Sequence, residues 1–176
     1  MTAGAAMPKK WLFVPLALAA LTAGAWLAHS RQAAQAPLSA LWQSSFPDLT
    51  GKPQPLAQWR GQVLVLNFWA TWCAPCREEM PDFAALRAQY HGRGVEFVGL
   101  AIDNPANVGR FLQTLPVNYP ILIGEGAAHG LARALGNPAG ALPYTIVIDR
   151  NGNIALAHLG RLPRGTLDSA LRKIGA

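Results

Sequence analysis

Cysteine is almost missing from this chain: Cys73 and Cys76 are the only two in 176 residues. That scarcity rules out a framework of several disulfides and a four-thiolate zinc site. Histidine does not make up the shortfall, because His29, His91, His129 and His158 are dispersed, without an H-x-x-x-H pair. Acidic residues are also few, nine against fifteen Lys and Arg, for a net charge of +6. Residues 1–36 hold Lys9, Lys10 and Arg31 and no acid; the remainder has twelve basic and nine acidic residues and no long Lys/Arg run. A scattered excess of this kind is a solvated surface, so nucleic acid is not expected as a partner. No internal repeat or low-complexity tract stands out beyond the amino-terminal segment.

Charge is missing altogether from Trp11 to Ala28, a run of eighteen residues behind Lys9 and Lys10. As a helix it spans roughly 27 Å, close to the hydrocarbon thickness of a bilayer. Trp11 and Trp26 lie near its ends, where indole rings favour the membrane interface. Lys9 and Lys10 keep the amino terminus cytoplasmic, with Arg31 opposing weakly, so the rest of the chain is expected outside. The competing reading is a cleaved signal peptide with Ala23-Gly24-Ala25 as the cleavage site, although the run exceeds the usual h-region of about 7–15 residues. The segment has no cysteine to carry a lipid. Residues 1–29 are thus read as an anchor or signal peptide, 30–39 as a linker and 40–176 as the exported domain.

That domain reads as an initial hairpin followed by alternating elements. Residues 40–46 are expected as a short strand, Asp48 to Lys52 as a turn, and Pro53 to Leu56 as the returning arm, confined to an edge by Pro47, Pro53 and Pro55. Leu56 to Trp59 follows as a single turn. Val63 to Trp69 is a buried strand and Ala74 to Tyr90 a helix, with Pro75 in its first turn and Pro81 expected to kink it. Strands are expected at 95–102, 119–123, 144–148 and 154–159, and helices at 105–115, 127–135 and 163–174. The order β-α-β-α-β-α-β-β-α implies an α/β fold with a central sheet covered on both faces.

The two cysteines stand where the strand Val63 to Trp69 gives way to its helix. A thiol at a helix mouth faces unpaired N–H groups and the positive end of the helix dipole, which favours the thiolate. Thiol pKa values in such motifs fall from ~8.5 to roughly 3.5–7.5. Cys73 is therefore read as the nucleophile and Cys76 as the resolving thiol of a redox-active disulfide. A structural staple is the bland alternative, but closing so short a loop stabilises by only roughly 2 kcal/mol, against about 4.7 for a hundred-residue loop. Two thiolates also suit Cu(I), so a Cu(I)-binding or metallochaperone module stays open as the non-enzyme reading.

The stretch Leu66-Asn67-Phe68-Trp69-Ala70-Thr71-Trp72-Cys73-Ala74-Pro75-Cys76 resembles the active-site strand and motif of thioredoxins. With Glu79 and Pro81 following, it is most similar to the membrane-anchored, exported TlpA/ResA-like branch. The resemblance runs over about 40–175, through Ala141-Leu142-Pro143-Tyr144-Thr145 and Ile148-Asp149-Arg150-Asn151-Gly152. It implies a thioredoxin-like fold, a central mixed sheet flanked by helices, and a thiol-disulfide oxidoreductase without metal or other cofactor. It further implies a cis bond at Leu142–Pro143, with Trp72, Leu142 and Pro143 as substrate-binding residues and Ala74 and Pro75 supporting the motif. Glu79, one turn beyond Cys76 on the same helix face, is implied as the proton-transfer group that tunes the thiols, while Glu78 points to solvent. Cytosolic thioredoxins place a titrating Asp where this chain has Asn67, so proton handling falls to Glu79.

The resemblance also supplies expectations about the cell. It implies a single-pass protein of the cytoplasmic (inner) membrane with its catalytic domain on the periplasmic side. There it would reduce oxidised extracytoplasmic proteins, apocytochromes awaiting haem or copper-site proteins among them, and be kept reduced by a membrane thiol reductase. A CcmG/DsbE-type cytochrome c maturation reductase ranks second, because Gly124-Glu125-Gly126 and Gly136-Asn137-Pro138 do not clearly reproduce that branch's insert.

Overall fold

Strand β3 (Val63–Trp69) lies at the centre of a five-stranded sheet, and every one of its residues is buried. The computed structural model describes residues 38–176 together with Thr22, Gly24 and Trp26. Apart from those three residues, the anchor or signal segment expected at 1–29 and the linker as far as residue 37 lie outside the described residues. Among the described residues no helix is long and apolar enough to cross a membrane. One compact unit runs from Leu38 to Ala176.

After the hairpin of β1 (Ser45–Pro47) and β2 (Pro53–Pro55) and a 3-10 turn at Leu56–Trp59 come β3, α1 (Ala74–Tyr90), β4 (Val95–Ala101), α2 (Pro105–Thr114), β5 (Ile121–Ile123), α3 (Glu125–Ala134), β6 (Tyr144–Ile148), β7 (Ile154–Leu159) and α4 (Arg164–Lys173). The sheet order is β5-β4-β3-β6-β7. Strands β4 and β5 continue the parallel direction of β3, while β6 runs antiparallel to β3 and β7 antiparallel to β6. This is a mixed, helix-covered sheet with the thioredoxin-like arrangement.

Period-2 alternation along β3 deals its side chains to two cores. Val63, Val65 and Trp69 face Met80, Phe83 and Leu86 of α1, Val108 of α2 and Leu167 and Leu171 of α4. Leu64, Leu66 and Phe68 face Leu41, the 3-10 turn and Ala128, Leu131 and Ala132 of α3. Gly99 shows how closely the first face packs: a Cβ there would lie 2.6 Å from Ile121 Cδ1 and 3.1 Å from the Trp69 indole nitrogen.

One expected element is replaced. Residues 40–46 do not form a strand; residues 38–43 are helical, and only Ser45–Pro47 is extended. Leu38, Leu41 and Trp42 repeat at i, i+3 and i+4 and all turn to the second core. Ser44 closes the helix, its N–H bonding the Leu41 carbonyl and its hydroxyl that of Ala40. In the sequence, the prolines of the hairpin that follows mask that helical spacing. Strand β5 is also shorter than 119–123, beginning at Ile121 after Pro120, which has no N–H to offer a ladder. Pro81 is accommodated inside α1.

Candidate active site

The chain leaves β3 through Ala70-Thr71-Trp72 and enters α1 at Ala74, with Cys73 as the N-cap. Pro75 occupies the first turn, where its missing N–H leaves nothing unpaired. Cys73 and Cys76 are joined as a disulfide with S–S 2.03 Å. The Cys76 backbone N–H donates to the Cys73 sulfur at 3.3 Å, so an otherwise partnerless donor of the first helical turn already points at the outer sulfur. Cys73 reaches the surface slightly, at 6% exposure, and Cys76 not at all. The asymmetry suits an outer attacking sulfur and an inner resolving one. Trp72 stands out from this corner at 69% exposure.

Asp103, at the end of β4, holds the approach to Cys73. One of its carboxylate oxygens accepts from the Thr71 N–H at 3.1 Å and from the Thr71 hydroxyl. The other accepts from the Asn104 N–H and from Asn107 Nδ2, each at 2.8 Å. Burial opposes the charge of Asp103, but these bonds outweigh it and hold the carboxyl below its usual range.

Glu79 is fully buried one turn behind Cys76. Its Oε1 accepts from Asn67 Nδ2 at 2.8 Å, and its Oε2 accepts from the Leu162 backbone N–H at 2.8 Å. Asn67 uses the same amide nitrogen to bond the Thr145 hydroxyl at 2.9 Å, in the register that pairs Asn67 with Thr145 across β3 and β6. Desolvation raises the Glu79 carboxyl from 4.5 to about 7, against the opposing pull of Leu162 N–H, Asn67 and the positive charge of Arg161. A carboxyl that changes protonation near neutrality is suited to general acid–base work. Glu78, the preceding residue, is exposed as expected, and its carboxylate lies 3.7 Å from Arg161 Nε.

The peptide between Leu142 and Pro143 is cis. The pairing of Phe68 with Tyr144 sets Pro143 beside the end of β3 from which the C-x-x-C loop continues. Leu142 packs against both cores, including the one that contains Cys73 and Cys76. The Pro143 carbonyl accepts from the Gly160 N–H at 2.8 Å.

Cys73, Cys76 and Glu79 therefore gather at one end of the sheet, with Trp72, Leu142 and Pro143 at the same end. Five contributors escaped the sequence reading as site residues: Asn67, Asp103, Thr145, Arg161 and Leu162. Asn67 alone carried a signal, as the one polar residue in an otherwise apolar strand. Among the described residues no group of three or more His, Cys, Asp or Glu is placed to hold a metal ion.

The Redoxin family pattern matches residues 32–174. The thiol-disulfide oxidoreductase ResA of Geobacillus thermodenitrificans is 34% identical over 128 residues, covering 72% of this chain and 71% of that relative. ResA of Bacillus cereus is 33% identical over 129 residues, covering 72% of each. A thioredoxin-related protein of Neisseria meningitidis serogroup B superposes with a TM-score of 0.67 at 32% identity, over 73% of this chain and 97% of that one. A thiol:disulfide interchange protein of the thioredoxin family from Chlorobium tepidum gives 0.64 at 30% identity, over 74% and 92%. With a C-x-x-C disulfide at the mouth of α1 and a buried carboxyl behind it, the chain belongs to the Redoxin family and is a ResA/TlpA-like thiol-disulfide oxidoreductase of the thioredoxin superfamily.

Proposed function

We propose that this oxidoreductase works as a reductant of disulfides in extracytoplasmic proteins, held at the cytoplasmic membrane by its amino-terminal segment. The observation that carries the thiol–disulfide exchange is the buried Glu79 behind Cys76, poised to change protonation near neutral pH. In the reduced protein the Cys73 thiolate attacks a client disulfide, forming a mixed disulfide and expelling one client thiolate. Glu79 takes the proton from the Cys76 thiol. The Cys76 thiolate then attacks the Cys73 sulfur, the second client sulfur leaves, and the Cys73–Cys76 disulfide remains. Two electrons pass to the client and return from a membrane thiol reductase. Trp72, exposed beside the disulfide, and the Leu142–Pro143 segment form the surface against which an extended client strand would lie.

The cellular setting is supported by the uncharged run 11–28 behind Lys9 and Lys10, and by chemistry that has clients where disulfides persist. The resemblance to the TlpA/ResA-like branch points to apocytochromes awaiting haem or copper-site proteins as clients. The reduction potential tests the direction: a value well below that of a strong oxidant is expected, and one near −120 mV would reverse the assignment. Fractionation with amino-terminal sequencing tests the anchor. A mature chain beginning near Trp26 or later would show cleavage instead.

A further inference from the structure

Three of the four residues that join β7 to α4, Gly160, Arg161 and Leu162, touch the active corner. Gly160 N–H donates to the Pro143 carbonyl at 2.8 Å, and Leu162 N–H donates to Glu79 Oε2 at 2.8 Å. Between them, Arg161 Nε lies 3.7 Å from the Glu78 carboxylate on the outer side of α1. The Arg161 carbonyl faces His158 Nε2 at 3.2 Å, and Leu162 itself is fully buried. Gly160 has φ +89°, a backbone conformation that other residues enter with strain, so the turn is tied to glycine. Successive acids of α1 thus grip one short segment from two sides, Glu78 through a side chain and Glu79 through a backbone N–H.

We propose that Gly160–Leu162 is a strap that joins the Pro143 segment to the Glu79 carboxylate, and that Arg161, paired with Glu78 on the outer side of α1, is a positioning residue that keeps a cation in this strap. The proposal rests on the reading of Glu79 as proton carrier and Pro143 as client contact. The groups that face Glu79 are few. Asn67 comes from β3 with Thr145 of β6 behind it, the Leu162 N–H and Arg161 from the strap, and Cys76 from its own helix. Tyr119, ahead of β5, is near enough that the Glu79 charge pushes its hydroxyl further up, after desolvation. Arg161 is the only cation among them. Its side chain is about half exposed, which makes its effect modest and sensitive to salt. Because one segment holds both Glu79 and Pro143, a client docking at Pro143 acts on the carboxyl through it.

The Glu79 carboxyl of the reduced protein is titrated directly by carbon-13 NMR, independently of thiol reactivity. Arg161→Gln is expected to raise its midpoint by roughly 0.5 pH unit, and Arg161→Lys to keep it near the parent value. Gly160→Ala, which strains the strap, is expected to raise it as well. A peptide trapped on Cys73 in the Cys76→Ser protein is expected to move the midpoint relative to the same variant without peptide. An unchanged midpoint in Arg161→Gln overturns the charge role, and an unmoved midpoint on trapping overturns the coupling. The proton-carrier reading fails separately, if Glu79→Gln leaves the pH profile of thiol alkylation as it was.

Discussion

The two faces of the central sheet are built from the same strands and differ in one respect. Towards α3, the sheet presents Leu64, Leu66, Phe68, Ile146 and Ile148, and the single polar group, the Tyr144 hydroxyl, is satisfied by the Leu135 carbonyl at 2.7 Å. Towards α1, the same strands present Asn67 and Thr145, and α1 adds Glu79, all buried. On that face Asn67 Oδ1, Trp69 Nε1 and the Tyr119 hydroxyl have no hydrogen-bond partner among the described residues, whereas the loop that follows α3 leaves one such atom, Asn137 Oδ1. Burying polar groups in this way costs stability. The dry face holds the fold; the wet face accepts that cost beneath the disulfide, where the proposed proton transfer takes place.

Cutting the wet face at its nucleophile should have the largest effect. Cys73→Ser is expected to lower the rate of reduction of insulin or a model disulfide by roughly 10³-fold or more, while the thermal unfolding of the reduced proteins stays similar. Parental activity in that variant would end the dithiol reading. A cut in the dry face should act on stability instead. Leu66→Ala is expected to cost about 2–5 kcal/mol in chemical denaturation and to leave the pH profile of thiol reactivity unchanged.

The contrast between faces should also be visible as a pH dependence. The folded protein raises the Glu79 carboxyl from 4.5 to about 7, so folding favours its protonated form. That contribution is fully present below pH 4.5 and disappears as pH rises through about 7, at a cost of up to about 3 kcal/mol. Asp48, lowered to about 2, and Asp103, also lowered, work in the opposite sense but lose their contribution only in more acidic solution. Between pH 5 and 8 the oxidised parent should therefore lose stability, and Glu79→Gln should largely flatten this dependence. An equal slope in the two proteins would place the titrating group elsewhere. The smallest effect belongs to the neighbouring acid: Glu78→Gln is expected to change stability by less than about 0.5 kcal/mol, since an exposed ion pair is screened by water. A loss of several kcal/mol there would mean that Glu78 is buried in solution.

Much of this organisation was legible residue by residue. Helix α1 starts at Ala74 and ends at Tyr90 as its apolar spacing and Pro75 imply, and β6 and β7 occupy the expected residues. Period 2, period 3.6, a proline in the first turn and a glycine after the last are signals carried by neighbours in sequence. The helix at 38–43 replaces the strand expected at 40–46; its spacing is present in the sequence, but Pro47, Pro53 and Pro55 mark an edge hairpin immediately after it. The site divides along the same line. Cys73, Cys76 and Glu79 share one helix and one motif, and could be named from it.

The amino-acid sequence by itself determined where the dithiol stands, since a strand, a C-x-x-C and a helix in succession bring the sulfurs to the helix mouth by local geometry alone. Tertiary structure decided what surrounds them. The partners of Glu79 and of the thiol loop come from far along the chain. Leu162 is 83 residues from Glu79, Thr145 is 78 from Asn67, and Asp103 is 32 from Thr71. A backbone N–H such as that of Leu162 has no residue type to betray it, and a carboxyl acquires a raised pKa only when the assembled core removes its water.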